Sequence, residues 1–379
     1  MAKASHAFTN FTAGELSPRL DGRTDVNKYF NGCSRLENFI IHPHGGASRR
    51  PGTKFIASVK TAANATRLIP FEFSVTQAYV LEFGHNYFRI YKDGGQVVDS
   101  GSAVEVATPY GTSDLSAIKF TQSADLMYLV HPDYSPRVIS RSSHTAWTIA
   151  EVAFRRGPMQ DENSTTTTLV ASASTGNPNI TASASLFVAT DVGRIIKLHE
   201  GYAKISSITS ATVAVAAVQE NSDGRTELLP SYTADTIGFA EGDPGLEHND
   251  RITDSTGDFV TQGFKVGQFI TVTGAGTSGN NVTNKLVVQV TADTILLAPS
   301  ADLVTEAAGQ DVTIVGVLAA STSWSFGAFS ATTGFPSTVT FFEERLVFAN
   351  TATEPQTLFF SVSGDFTDFA EGITSGSSL

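Results

Sequence analysis

Ala78-Tyr79-Val80-Leu81-Glu82-Phe83, Gly84-His85-Asn86, Tyr87-Phe88-Arg89-Ile90-Tyr91, Asp93-Gly94-Gly95 and Gln96-Val97-Val98 are the residues whose reading decides the fold class. The apolar runs are short and rich in aromatic and β-branched side chains. Gly, Asn and Asp separate them, and these residues accept the backbone angles of tight turns. With Leu68-Ile69-Pro70-Phe71-Glu72-Phe73 before them, they predict a four-stranded antiparallel meander. A second meander is read at Ala117–Phe120, Leu126–Val130, Pro136–Ser140 and Trp147–Ile149. A third is read at Thr338–Phe342, Arg345–Ala349 and Gln356–Ser361. Asp125-Leu126-Met127-Tyr128 matches Arg345-Leu346-Val347-Phe348, and a proline, Pro136 or Pro355, opens the next strand of each unit. Repeated meanders of this kind are the pattern of a β-propeller, with packed sandwich sheets as the alternative.

Between the second and third meanders lies an interruption with its own repeat. Its first copy runs Asp191-Val192-Gly193-Arg194-Ile195-Ile196-Lys197-Leu198, then Lys204-Ile205, then Thr209-Ser210-Ala211-Thr212 and a strand. Its second runs Lys265-Val266-Gly267-Gln268-Phe269-Ile270-Thr271-Val272, then Lys285-Leu286, then Thr291-Ala292-Asp293-Thr294 and a strand. Two small β modules are expected here, joined by acidic, Gly-rich linkers such as Glu241–Gly245 and entered through the polar tract Asn163–Thr168. Near the N-terminus, Thr24 or Asp25 as a cap and Tyr29, Cys33, Leu36 and Ile40 near helical spacing predict one helix, against which Gly32 counts. Pro51-Gly52 predicts a type II turn. The expected architecture is mainly β: a partial β-propeller with two small β-barrel-like modules inserted and a short N-terminal arm with one helix. The boundaries are an arm at 1–60, first blades at 61–158, modules at 159–235 and 236–318, and a last blade at 319–379.

The 379 residues suffice for two or three domains with real cores. Only 16% of residues are charged and 41% are hydrophobic, which excludes a charge-rich disordered chain. The one cysteine, Cys33, excludes an internal disulfide and a Cys-based zinc site. Against 25 Lys and Arg stand 37 Asp and Glu, a net charge of −12. Residues 1–60 run the other way, with nine basic and four acidic residues. An acidic body repels phosphate, so tight nucleic-acid binding through counterion release is not expected. No secretory signal is read in the opening residues, and no run approaches the roughly 20 apolar residues of a membrane helix.

Few motifs carry chemistry. Gly274-Ala275-Gly276-Thr277-Ser278-Gly279 matches a dinucleotide fingerprint, but a strand rather than a helix is expected after it, so it reads as a hairpin loop. His42 and His44 lack a third ligand for zinc and read as a Pro-containing surface loop. Glu343-Glu344 sits at a hairpin turn, where adjacent carboxylates face apart. The acidic residues from Glu220 to Asp258 do not have the spacing of an EF-hand and read as linker. No catalytic residue, cofactor or metal site is assigned, and the chain is expected not to be an enzyme.

Two segments resemble a known family. The first is Phe11-Thr12-Ala13-Gly14-Glu15-Leu16-Ser17-Pro18-Arg19-Leu20, Gly22-Arg23-Thr24-Asp25, Leu36-Glu37-Asn38-Phe39-Ile40 and Gly45–Ile56. The second is Trp324–Ser330, Gly334–Phe342, Arg345–Ala349, Pro355–Ser361 and Gly364–Phe369. Together they are similar to the tail nozzle proteins of short-tailed phages, also called tail tubular protein B or phage stabilisation proteins. That resemblance implies a virion tail component assembled in the host cytoplasm. It implies a hexameric ring below the portal and head-to-tail adaptor, with a propeller in each subunit. Genomic DNA would be a transient cargo of the central channel, and tail fibre or spike proteins would be further neighbours. An acidic channel wall suits DNA that must pass without binding.

Within that expectation the basic arm is the docking segment, with Arg19, Arg23, Arg49, Arg50 and Lys54 as candidate assembly contacts. One departure stands out: three meanders fall short of the four to eight blades of a propeller. Either a separate chain supplies the rest, the chain is a fragment or the architecture is reduced, and a partner is expected to cover the open blade edge. The competing readings are a receptor-binding tail adhesin and a glycan-hydrolysing tail protein with paired carboxylates.

Overall fold

The computed structural model describes residues 8–199, 201–221, 224–242, 250–257, 259–299 and 303–370. Residues 243–245 of the acidic linker, parts of the Glu220–Asp258 acidic stretch and the C-terminal Thr374–Leu379 lie outside the described residues. The chain divides into two compact units, Met1–Ser58 and Val59–Leu379.

In the first unit, strand β1 (Gly14–Glu15) pairs in parallel with β2 (Gly32–Cys33), and β3 (Phe39–Ile41) pairs antiparallel with β4 (Ala47–Arg49). The expected helix is not formed. Tyr29–Asn31 is a single 3-10 turn, and the chain is extended from Gly32 onward, with φ −131° and ψ 178° at that glycine. The reason is local. Gly32 is buried beside β1, and a Cβ there would lie 2.6 Å from Cγ of Leu16, so strand pairing wins over helical spacing. Leu36 and Ile40 would also have had no core to enter, since Ile40 is 48% exposed. Gly52 takes no positive φ and residues 51–59 form no turn, so the type II turn at Pro51-Gly52 is likewise absent.

The second unit opens with β5 (Arg67–Ser74), β6 (Gln77–Gly84), β7 (Tyr87–Lys92), β8 (Gly95–Gln96), β9 (Val98–Asp99), β10 (Ser102–Ala103) and β11 (Glu105–Ala107). The first sheet has the order β11-β7-β6-β5, with β8 attached to β7 and β9–β10 forming a separate hairpin. The fourth position of the meander thus belongs to Glu105–Ala107, and Gln96-Val97-Val98 supplies only a short strap. The second sheet is a plain meander, β12 (Lys119–Ser123), β13 (Leu126–His131), β14 (Tyr134–Arg141) and β15 (Trp147–Glu151).

The interruption contains β16 (Leu169–Ala171), β17 (Asn179–Ala182), β18 (Ile195–Leu198), β19 (Gly201–Ser210) and β20 (Val213–Gln219). Then come β21 (Ser231–Ala234), β22 (Ile237–Ala240), β23 (Arg251–Asp254), β24 (Phe269–Thr273), β25 (Lys285–Val290), β26 (Thr294–Leu297), β27 (Val312–Gly316) and β28 (Trp324–Phe326). One sheet has the order β16-β17-β20-β19-β18-β28; the other, read from β22, has β22-β23-β26-β25-β24-β27-β21. The first six strands of each follow the same path, so the repeat in the sequence is a repeat of topology.

Each sheet also curls until one segment bonds both of its edges. Leu169 of β16 exchanges two backbone hydrogen bonds of 2.9 Å with Ser321, just before β28. Phe239 of β22 exchanges bonds of 2.8 and 3.0 Å with Glu306, ahead of β27. Every strand of the second sheet sends side chains into one core, Ile237, Phe239, Ile252, Ile270, Val272, Val287, Ile295, Leu297, Val312 and Ile314 among them, flanked by Tyr232 and Ala234 of β21.

Two boundaries differ from expectation. The second sheet begins at Ser231, and Trp324–Phe326, expected with the last blade, completes the first sheet by pairing with β18. The second module therefore sits inside the β20–β28 connection of the first: the two are nested rather than in tandem.

The chain then forms β29 (Thr338–Phe342), β30 (Arg345–Ala349) and β31 (Leu358–Phe360). Strand β13 explains how this sheet meets the earlier ones. Its side chains alternate: Met127 and Leu129 enter a core with Ile69, Phe71, Leu81, Phe83, Phe88 and Ile90 of the first sheet. Tyr128 and Val130 enter another core with Val339, Leu346, Phe348 and Phe359 of the last sheet. The three sheets are therefore stacked face to face, with the second covered on both sides. Trp147 anchors the first junction, edge-on to Phe71 at 4.9 Å and to Tyr79 at 5.1 Å. Each such side chain contributes on the order of 2–3 kcal/mol by leaving water.

Candidate assembly surface

Among its described residues the first unit has no buried apolar side chain. Among its described residues the only buried positions are Gly14, Gly32 and Gly45. Phe30, Phe39, Ile40, Phe55 and Ile56 are all exposed, Phe55 to 77%. Large apolar side chains scattered singly on a surface are ordinary; here five fall within 27 residues.

The expected contact residues lie on this unit, and all five are exposed. Arg49 ends β4, across from Phe39. Arg50 follows it, with its Nε donating to Asn38 Oδ1 at 2.8 Å and its backbone N–H donating to Asn38 O at 2.9 Å. The hairpin thus holds both arginines at one end, next to its apolar strand. Arg19 lies in the 3-10 turn Pro18–Leu20, capped by Ser17. Arg23 forms a two-pronged pair with Asp25 at 2.7 and 2.6 Å, which raises the guanidinium pKa and lowers that of the carboxyl. In open water such a pair adds little to stability. Lys54 lies after the hairpin, outside any strand.

The other sequence candidates resolve into local structure. His42 Nε2 meets Ser48 Oγ at 2.8 Å, and the His42–Gly46 stretch is the β3–β4 turn. Glu343 and Glu344 both take positive φ, 46° and 58°, at the β29–β30 turn. Among the described residues no three His, Cys, Asp or Glu side chains stand together as a metal site. The glycine-rich loop at 274–279 does cradle an anion, but the anion is internal. Glu306 accepts from the N–H of Gly276 at 2.8 Å, from the N–H of Thr277 at 3.1 Å and from Asn280 Nδ2 at 2.7 Å. Chiefly through Asn280, these bonds hold the Glu306 carboxyl below its usual range despite partial desolvation.

Sequence reasoning overlooked the joints of the body. Arg156 makes a two-pronged pair with Asp368, its Nε to Oδ1 at 2.9 Å, and the same residues form a parallel β-bridge. Arg155 pairs with Asp365 and lies 3.6 Å from Glu220. Burial alone pushes the Asp365 carboxyl up; the Thr367 N–H and hydroxyl and Arg155 outweigh it and hold the pKa low. Arg194, buried, donates to Gly327 O at 2.9 Å, Asp191 Oδ1 at 3.1 Å and Gln160 Oε1 at 2.5 Å. Arg155 and Arg156 tie the segment entering the inserted modules to the segment after the last sheet, and Arg194 ties Gln160 to the segment after β28. The signal was present in Arg155-Arg156-Gly157-Pro158 and in the spacing of Asp365 and Asp368, but ion pairs over 200 residues apart have no local signature.

No protein-family model matches the chain, and no curated protein matches its sequence.

Proposed function

We propose that this chain is a structural subunit of the tail nozzle of a short-tailed phage, working by assembly around a DNA channel rather than by catalysis. The observation that carries the reading is the face-to-face stack of three sheets interrupted, between the second and third, by two nested modules. The resemblance of residues 11–56 and 324–369 implies a propeller in each subunit, and the Val-Gly modules between them are similar to inserted domains of the same family. In this reading the stacked sheets are blades of a propeller, and the subunits form a six-fold ring that meets the head-to-tail adaptor. The apolar, basic first unit is the docking segment, with Arg19, Arg23, Arg49, Arg50 and Lys54 among its contacts. The net charge of −12 suits a channel that lets DNA pass. Cryo-electron microscopy of the intact particle is the test. A ring of this chain on the tail axis below the adaptor is the expected result; the chain in off-axis spikes or fibres would sink the proposal in favour of an adhesin.

A further inference from the structure

We infer that the first unit of one copy docks on the inserted modules of a second copy of this chain. The inference rests on the assembly reading above and names the partner surface. Charge points to it first. Residues 159–318 hold eighteen Asp and Glu against seven Lys and Arg, so most of the acidic excess lies in the modules. Residues 1–58 hold eight Lys and Arg against four Asp and Glu. Surfaces segregated this way attract each other and orient the encounter.

The duplicated topology points to the same surface. In the first module Phe187 donates its N–H to Ala211 O, and in the second Phe259 donates to Ala292 O, so the two are equivalent. The residue after each is an exposed valine, Val188 at 47% and Val260 at 57%. Gly193 donates to Ile205 O and Gly267 to Val287 O, so these two are also equivalent. The residue before each is again an exposed valine, Val192 at 51% and Val266 at 63%. Each module thus shows water a pair of valines at matching positions, on loops of different length and otherwise different sequence. Four exposed valines that recur at equivalent backbone positions in both modules are a patterned apolar surface rather than singly scattered side chains. Apolar side chains on modules of net negative charge match apolar side chains on a first unit of net positive charge.

The test uses full-length chains. Wild-type protein at micromolar concentration and low salt is expected to self-associate in sedimentation velocity, and added salt is expected to weaken this. Arg49→Glu/Arg50→Glu removes one face of the contact and Val188→Glu/Val192→Glu/Val260→Glu/Val266→Glu the other. Each is expected to weaken self-association roughly tenfold or more. Unchanged circular dichroism and melting would establish that both variants fold, and Arg49→Lys/Arg50→Lys is expected to retain association. An equimolar mixture of the two charge variants still has one intact pair of faces, so it should form a heterodimer and stop there. A monomeric wild type, a valine variant that associates like wild type, or a mixture that stays monomeric overturns the inference. None of these bears on whether the particle carries a ring of this chain, which imaging decides separately.

Discussion

Gly193 and Gly267 hold the same backbone conformation, φ 89° and 90°, and each donates its N–H to the middle strand of its own module, to Ile205 O at 2.8 Å and Val287 O at 2.9 Å. A Cβ added at either would meet nothing within 4 Å, so only the backbone resists substitution. Gly193→Ala and Gly267→Ala are each expected to cost about 1–2 kcal/mol, and asparagine at the same positions less. Denaturant titration of the four variants measures this. Alanine variants as stable as wild type would show that the positive φ is not required.

The Arg156–Asp368 pair predicts a larger effect. Its carboxylate side chain is 3% exposed and its guanidinium 12%. Asp368→Asn strands Arg156 and is expected to cost about 3–5 kcal/mol; Arg156→Met leaves Asp368 with Arg155 at 3.9 Å and is expected to cost less. The double variant should recover part of the loss, because neither charge is then left alone. Because the pair ties the strand leaving the second sheet to the one following the last, limited proteolysis of the single variants should release fragments cut near the modules. Equal protease resistance in wild type and variants would count against this role.

The strands of the stacked sheets were legible because each is a short apolar run, as in Met127-Tyr128-Leu129-Val130, and turn residues delimit it. The module repeat was legible because Val-Gly before a strand and a Thr-x-x-Thr turn answer to fixed backbone geometry. Nesting was not legible: the pairing of Trp324–Phe326 with Ile196–Leu198 spans more than 120 residues, and Trp-Ser-Phe reads equally well as a strand of either neighbour. The helix at Tyr29–Ile40 failed because spacing alone cannot see that Gly32 lies against β1. Of the candidate site, the excess of arginine near the N-terminus was legible from composition. The exposed valines were not, because a valine in a β-rich chain is first read as core.

Two tyrosines make opposite predictions. Tyr110 is fully buried, and its hydroxyl has no hydrogen-bond partner among the described residues; burial pushes its pKa far up. Tyr232 donates to Asp254 Oδ2 at 2.6 Å. Tyr110→Phe removes a polar atom that burial penalises and is expected to leave the melting temperature unchanged or raise it. Tyr232→Phe is expected to cost about 1–3 kcal/mol, because Asp254, 2% exposed, loses a donor. Thermal melts of the two variants side by side decide this, and a strongly destabilised Tyr110→Phe would mean that an ordered water satisfies that hydroxyl.

Acid should loosen the second module. Burial favours the neutral form of Asp254, but Thr236, Tyr232 and Thr256 donate to its carboxylate and hold its pKa below the usual range. Glu306 is lowered as well, chiefly by Asn280. A carboxyl whose folded pKa lies below its unfolded value binds fewer protons folded than unfolded in the interval between the two. Its stabilisation is therefore complete above the unfolded value, about 4, and is lost as the pH falls through the lowered folded pKa. Melting temperature is expected to hold from pH 7 to 5 and to fall below 4. Glu306→Gln should melt lower at pH 7 and lose less on acidification, because its amide cannot titrate and still offers one acceptor oxygen to the Gly276–Asn280 loop. Parallel acid profiles for wild type and Glu306→Gln would remove Glu306 from the acid response and leave Asp254 and Asp365 to account for it.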